Sequence, residues 1–129
     1  MMNRIATRSA CLSLLLCIGS GHVAAQQGWV AVLKNTPAEN FDDEDLRLFM
    51  ATSVKALNGP PDQGTVSWQN PATKSHGDVT VASVFTWHDH PCRRLQIVNE
   101  ARGRKGAHAA NLCRVDDRWR LVSPSDLGK

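Results

Sequence analysis

The sequence predicts an α+β fold: one N-terminal amphipathic helix packed on a four- to five-stranded antiparallel meander, with one disulfide. Three observations carry this. Apolar residues recur with a helical period across residues 42–58, and after Pro60-Pro61 the period becomes alternating. Short turn clusters then punctuate the alternating stretch. Within that stretch lies a pair of cysteines, Cys92 and Cys113.

The N-terminus comes first because it decides what the mature chain contains. Arg4 and Arg8 precede an apolar stretch over residues 10–19, and Val23-Ala24-Ala25 supplies the small residues that a signal peptidase reads. Residues 1–25 are therefore expected to be a signal peptide, with the mature chain starting at Gln26. The apolar stretch is shorter than the roughly 20 residues of a membrane helix, and no second run follows, so no transmembrane span is expected after cleavage. Leu14-Leu15-Leu16-Cys17 partly fits a lipid-attachment box. Bulky Leu16 stands where a small residue is usual, so a lipid anchor at Cys17 is the lesser alternative. The expected location is the periplasm, or an outer-membrane-associated or secreted form.

Export simplifies both cysteines and charge. Cys11 and Cys17 leave with the signal, and Cys92 and Cys113 remain as an even pair in an oxidising compartment, which reads as a disulfide. Losing Arg4 and Arg8 takes the formal charge from +3 to +1, a balance that argues against a nucleic-acid partner.

Residues 26–40 read as a lead-in containing one apolar knot, Trp29-Val30-Ala31-Val32-Leu33, which either adds an edge strand or packs beneath the helix. For the helix, Asp42 is the expected N-cap, with Asp45 completing a capping box and Phe41 and Leu46 forming a hydrophobic staple. Leu46, Phe49, Met50, Val54 and Leu57 make its apolar face. Asn58-Gly59 and Pro60-Pro61 end it, Gly59 by taking the left-handed conformation.

The strands follow. Residues 65–69 place Val66 and Trp68 on one face, and residues 70–74 turn the chain. Val79, Val81, Ser83, Phe85 and Trp87 then share one face of the next strand, and residues 88–91 form a loop. Residues 92–100 and 105–114 pair across a turn at 101–104, and Asp116-Asp117 turns into a last strand over 119–122. Trp68, Trp87 and Trp119 are expected to cover the helix. If the hairpin turns midway between Arg102 and Gly103, Cys92 falls directly opposite Cys113. Turn and cysteines are independent signals, and they agree.

Chemical motifs are few. The sequence has no Gly-rich phosphate loop, no HExxH and no Gly-x-Ser-x-Gly, so neither catalytic residues nor a cofactor is expected. His88-x-His90-x-Cys92 has the spacing of three ligands along one strand face, but Cys92 has a better use in the disulfide and Pro91 interrupts the strand. A metal is not expected there. His76 and His108 read as exposed. Basic residues crowd the last third, and Arg93, Arg94, Arg114 and Arg118 are the candidate binding residues of a basic face.

Several ordered pieces carry a family resemblance. Trp68-Gln69-Asn70-Pro71-Ala72-Thr73, Gly77-Asp78-Val79-Thr80, Pro91-Cys92-Arg93, Leu112-Cys113-Arg114 and Asp116-Asp117-Arg118-Trp119 together resemble the surface-antigen domain of the seventeen-kilodalton outer-membrane antigens. The glycine zipper and lipidated cysteine of some members are not evident, and Asp117 replaces a usual Gly, so the last turn is open to difference. The resemblance spans residues 41–122, leaving 123–129 as a C-terminal tail. It implies a non-enzymatic envelope protein acting through surface contacts with an envelope component or a protein partner. The alternative reading is a small periplasmic hydrolase or inhibitor-type effector with its site between helix and sheet.

Overall fold

The computed structural model describes residues 33–129. The expected signal peptide, Cys17 and the knot residues 29–32 lie outside the described residues. A 3-10 turn, Pro37–Asn40, leads into helix α1, Asp43–Asn58. Five strands follow: β1 Thr65–Gln69, β2 His76–Trp87, β3 His90–Ala101, β4 Arg104–Val115 and β5 Arg118–Val122. They form one antiparallel sheet in sequential order. A one-turn helix α2, Pro124–Leu127, occupies the expected tail.

Helix α1 starts as its sequence predicts. The Asp42 carboxylate accepts from the Asp45 amide at 2.8 Å, and the Asp45 carboxylate accepts from the Asp42 amide at 3.1 Å. The buried stripe differs from the expected one. It runs through Asp45, Phe49, Thr52, Ser53, Ala56 and Leu57, whereas Leu46 and Val54 are exposed. Burial of Asp45 turns the helix toward the β1–β2 connection, and small Ser53 and Ala56 let it lie close to the sheet. Gly59 also departs from expectation, with an extended backbone rather than a left-handed one. The end carbonyls are satisfied from outside instead. Gln63 donates to Lys55 and Ala56, and Arg93 donates to Ala56 and Gly59 at 2.8 and 2.7 Å.

Three two-residue turns set the register of the meander. His88-Asp89, Arg102-Gly103 and Asp116-Asp117 all have positive φ, the signature of type I′ hairpins. The loop expected over 88–91 is therefore only two residues long, and strand pairing resumes at His90 opposite Trp87. Asp117 serves the last turn without a glycine because Asp tolerates the left-handed region better than most residues. Ala101 pairs with Arg104, and counting outward brings Cys92 opposite Cys113, where the disulfide forms.

One irregularity changes which side chains share a face. Val81 pairs with Leu95 but Ser83 with Arg94, so Ala82 is an extra residue in β2. Before it, Val79 and Val81 point to the helix side; after it, Phe85 and Trp87 point to the opposite side. The expected single face of Val79 to Trp87 is thus broken, and Trp87 does not cover the helix.

Two apolar clusters result. The main one lies between α1 and the sheet and contains Phe49, Leu57, Trp68, Val79, Leu95, Ile97 and Leu112, with Leu33 also buried in it. Phe41 packs on Phe49 and edge-on to Trp68, with ring centroids 5.9 and 5.0 Å away. The smaller cluster sits on the far side of the sheet, where Cys92, Cys113 and Val122 are packed by Phe85, Trp87, Val115 and Leu127. Helix α2 covers that end only.

Candidate functional site

Sheet register decides where each candidate arginine points. Side chains alternate between faces along a strand. Arg93 lies opposite Leu112, on the helix side, and Arg114 lies opposite Trp119 on that same side. Arg94 and Arg118 point the other way. The four residues do not form one basic face.

Their partners differ as well. Arg93 ties the helix end to the sheet through its two carbonyl contacts, and its guanidinium lies 6.0 Å from the Trp119 ring centroid. Trp119 in turn donates to Asn58 Oδ1 at 2.8 Å. Arg93 is thus an architectural residue. Arg114 lies 3.8 Å from the exposed Asp117 carboxylate. Arg94 donates weakly to Asn111 Oδ1 at 3.3 Å. Arg118 and Arg120 have no carboxylate partner among the described residues.

The side of the sheet opposite α1 is therefore the chemically distinctive surface. At one end its charges are locally matched: Ser67 donates to Asp78 at 2.6 Å, and His76 lies 3.3 Å from Glu100. Toward the disulfide the face turns basic, with Arg94, Arg118 and Arg120. There, Trp87, His88, His90, Val115, Arg120 and Asp126 border a shallow cleft of about 380 Å3. Trp87 Nε1 donates to the Asp126 carbonyl at 3.2 Å, and the His88 ring packs edge-on against Trp87 at 4.3 Å. His88 Nε2 lies 3.1 Å from the Lys129 carbonyl. Cys92 is in the disulfide, so the spaced trio His88, His90 and Cys92 contributes two residues to the cleft wall and one to its foundation. Among the described residues no three His, Cys, Asp or Glu side chains gather to hold a metal ion.

Sequence reading missed this cleft because Trp87 reaches it only through the bulge at Ala82. Arg120 was one basic residue among many. Its position opposite Cys113 was the available signal.

Polar groups are also buried on the helix side, among them Asp45, Asn99 and the ring nitrogens of His108. The Asp45 carboxylate accepts from Asn70 Nδ2 at 2.8 Å and from Thr73 Oγ1 at 2.7 Å. Burial raises its pKa, but hydrogen bonds from Thr73, the Asp42 amide, Asn70 and Ser75 outweigh that and hold it below the usual carboxylate value. Asn99 is fully buried and accepts from Trp68 Nε1 at 3.2 Å, while its Nδ2 has no hydrogen-bond partner among the described residues. His108, expected to be exposed, has both ring nitrogens buried without a partner among the described residues, and burial pushes its pKa down. His76 is exposed, as expected, and its Nε2 lies 3.3 Å from Glu100.

Known proteins share part of this sequence. The chain is 30% identical over 84 residues to the "17 kDa surface antigen" of Rickettsia prowazekii (strain Madrid E), covering 64% of this chain and 53% of that one. This chain resembles the 17 kDa surface antigens. The match to the Rickettsia felis antigen is 31% over 85 residues, covering 64% and 54%, and that to Rickettsia bellii 27% over 91 residues, covering 69% and 57%. The chain thus spans about half the length of the curated relatives it matches. No family model matches it, and no solved structure does.

The residues that carry the surface-antigen resemblance have structural tasks. Asn70 and Thr73 clamp Asp45, Gly77 makes room for Asn99 and Trp68, and Cys92 and Cys113 join β3 to β4. Arg93 and Trp119 fasten the helix end. The resemblance describes the scaffold. His88, His90, Arg120 and Asp126 belong to none of its pieces except by adjacency.

Proposed function

We propose that the protein is a non-enzymatic, exported component of the bacterial cell envelope that acts by surface contact, periplasmic, outer-membrane-associated or secreted. Export rests on the signal pattern of residues 1–25 and on the surface-antigen resemblance. Contact rests on one observation: the open sheet face ends in arginines, Arg94, Arg118 and Arg120, that no carboxylate among the described residues neutralises. Cations held on a rigid sheet without internal partners attract anionic groups and cost little to reorganise on binding.

The alternative, a hydrolase or inhibitor with its site between helix and sheet, meets a physical obstacle. That space is occupied by Phe49, Leu57, Leu95, Ile97 and Leu112, all essentially inaccessible. The carboxylate nearest to it, Asp45, spends its oxygens on structural donors.

Cosedimentation of the purified mature protein with isolated bacterial envelopes tests the proposal. Arg94→Gln/Arg118→Gln/Arg120→Gln is expected to stay in the supernatant where wild type pellets. Arg47→Gln, at an exposed helix pair with Glu44, is the folded control that pellets like wild type. A triple variant that pellets as well as wild type ends the reading.

A further inference from the structure

We infer that the cleft beside Trp87 binds an acidic sugar unit: a pyranose carrying a carboxylate, its ring on the indole and its charge on Arg120. The inference rests on the surface-contact reading and narrows it to one ligand chemistry. Three parts of the chain build the site: the β2–β3 hairpin supplies Trp87 and His90, β5 supplies Arg120, and α2 supplies Asp126.

The chemistry of the wall selects the ligand. Trp87 has already committed its one polar atom to the Asp126 carbonyl, so what it offers a ligand is ring surface. Flat aromatic surface suits the apolar C–H face of a sugar ring. Arg120 presents a planar fork of donors matched to a carboxylate, and no acidic side chain among the described residues occupies it. The rim carboxylate, Asp126, does not compete, since it accepts from Ser123 at 2.6 Å and lies 3.9 Å from Lys129 Nζ. A cleft of about 380 Å3 falls within the range that small ligands use.

The floor is stiff. Arg120 lies directly opposite Cys113, which is bonded to Cys92, so the cation's strand pairs with one held to β3 by the disulfide. A lipid headgroup would offer a similar charge, but membrane contact calls for exposed apolar side chains around the site. Among the described residues the large exposed apolar side chains are Leu46 and Val54 on α1, Val84 on the helix side of β2, and Leu121, the one of these that borders the cleft.

Calorimetric titration of the mature protein with a galacturonic acid tetramer, beside the same tetramer with its carboxylates methyl-esterified and so uncharged, tests this. The acidic tetramer is expected to bind, and the neutral one to bind at least about tenfold more weakly. Arg120→Gln should erase that discrimination, while Trp87→Ala should weaken both, with circular dichroism confirming the fold of each variant. Equal binding of the two tetramers, or an unchanged preference in Arg120→Gln, overturns the inference. So does binding to phosphatidylglycerol vesicles without binding to the acidic tetramer. If Arg120→Gln alone still cosediments with envelopes and no tetramer binds, the cleft inference fails and the surface-contact reading stands. If the triple arginine variant also pellets like wild type, both fail.

Discussion

Replacing Asp45 by alanine probes the contact between α1 and the β1–β2 turn. Asp45 is 1% exposed and accepts from Asn70 Nδ2, Thr73 Oγ1 and the Asp42 amide, at 2.8, 2.7 and 3.1 Å. Alanine removes both carboxylate oxygens that accept these bonds. Thr73 is exposed and its hydroxyl can turn to water, but Asn70 is buried and its amide would lose its acceptor. Stranding a buried donor and losing charge-assisted bonds together cost about 3 kcal/mol. Urea unfolding of wild type and Asp45→Ala at pH 7, followed by circular dichroism, measures this directly. A loss below about 1 kcal/mol would refute the reasoning. The pH dependence supplies a second check. Because the folded pKa lies below the ordinary 3.8, the ionised carboxylate stabilises the fold above that pH, and the contribution drains away as pH falls through the folded value. Asp45→Asn should therefore flatten the acid limb of the stability profile.

Other predictions follow from single contacts. Cys92→Ser/Cys113→Ser should lose roughly 3 kcal/mol in unfolding experiments, the chain-entropy value for a loop closed across a separation of 21 residues, and thiol counting by mass spectrometry should find none free in the oxidised mature chain. Gly77→Ala should cost about 2 to 3 kcal/mol by overpacking, since its Cβ would collide with Asn99 Oδ1 and lie 2.6 Å from both Trp68 Nε1 and the Val98 carbonyl. A melting temperature equal to wild type would contradict that geometry. His108 is held neutral by burial, so its depressed pKa makes stability fall as pH drops below about 6.5, the ordinary histidine value. His108→Gln should narrow the stability difference between pH 7 and pH 5, and an unchanged difference would mean that His108 titrates freely.

Much of the fold was legible because local signals agreed with one another. The capping box at Asp42 and Asp45, the turn at Arg102-Gly103 and the cysteine register all point to the same helix and hairpin, and each is realised. What escaped reading depends on a single residue or on tertiary contact. Ala82 is an ordinary strand residue, yet as a bulge it reverses the facing of Phe85 and Trp87. The helix stripe follows Asp45, whose burial is stabilised by Asn70 and Thr73 from another element, rather than the hydrophobicity of Leu46 and Val54. Arginines adjacent in sequence, Arg93 and Arg94, point to opposite sides, so a basic cluster in the chain is not a basic patch in space. The cleft inherits the first and the last of these difficulties.

The central claim is that the basic end of the open sheet face makes the contact with the envelope. Hydrogen–deuterium exchange of the mature protein, alone and mixed with isolated envelopes, tests it most directly by locating protected amides. The account predicts new protection in segments carrying Trp87 to Arg94 and Arg118 to Asp126, with α1 unchanged. Protection confined to α1, or no new protection anywhere when the protein pellets with the envelopes, would contradict it.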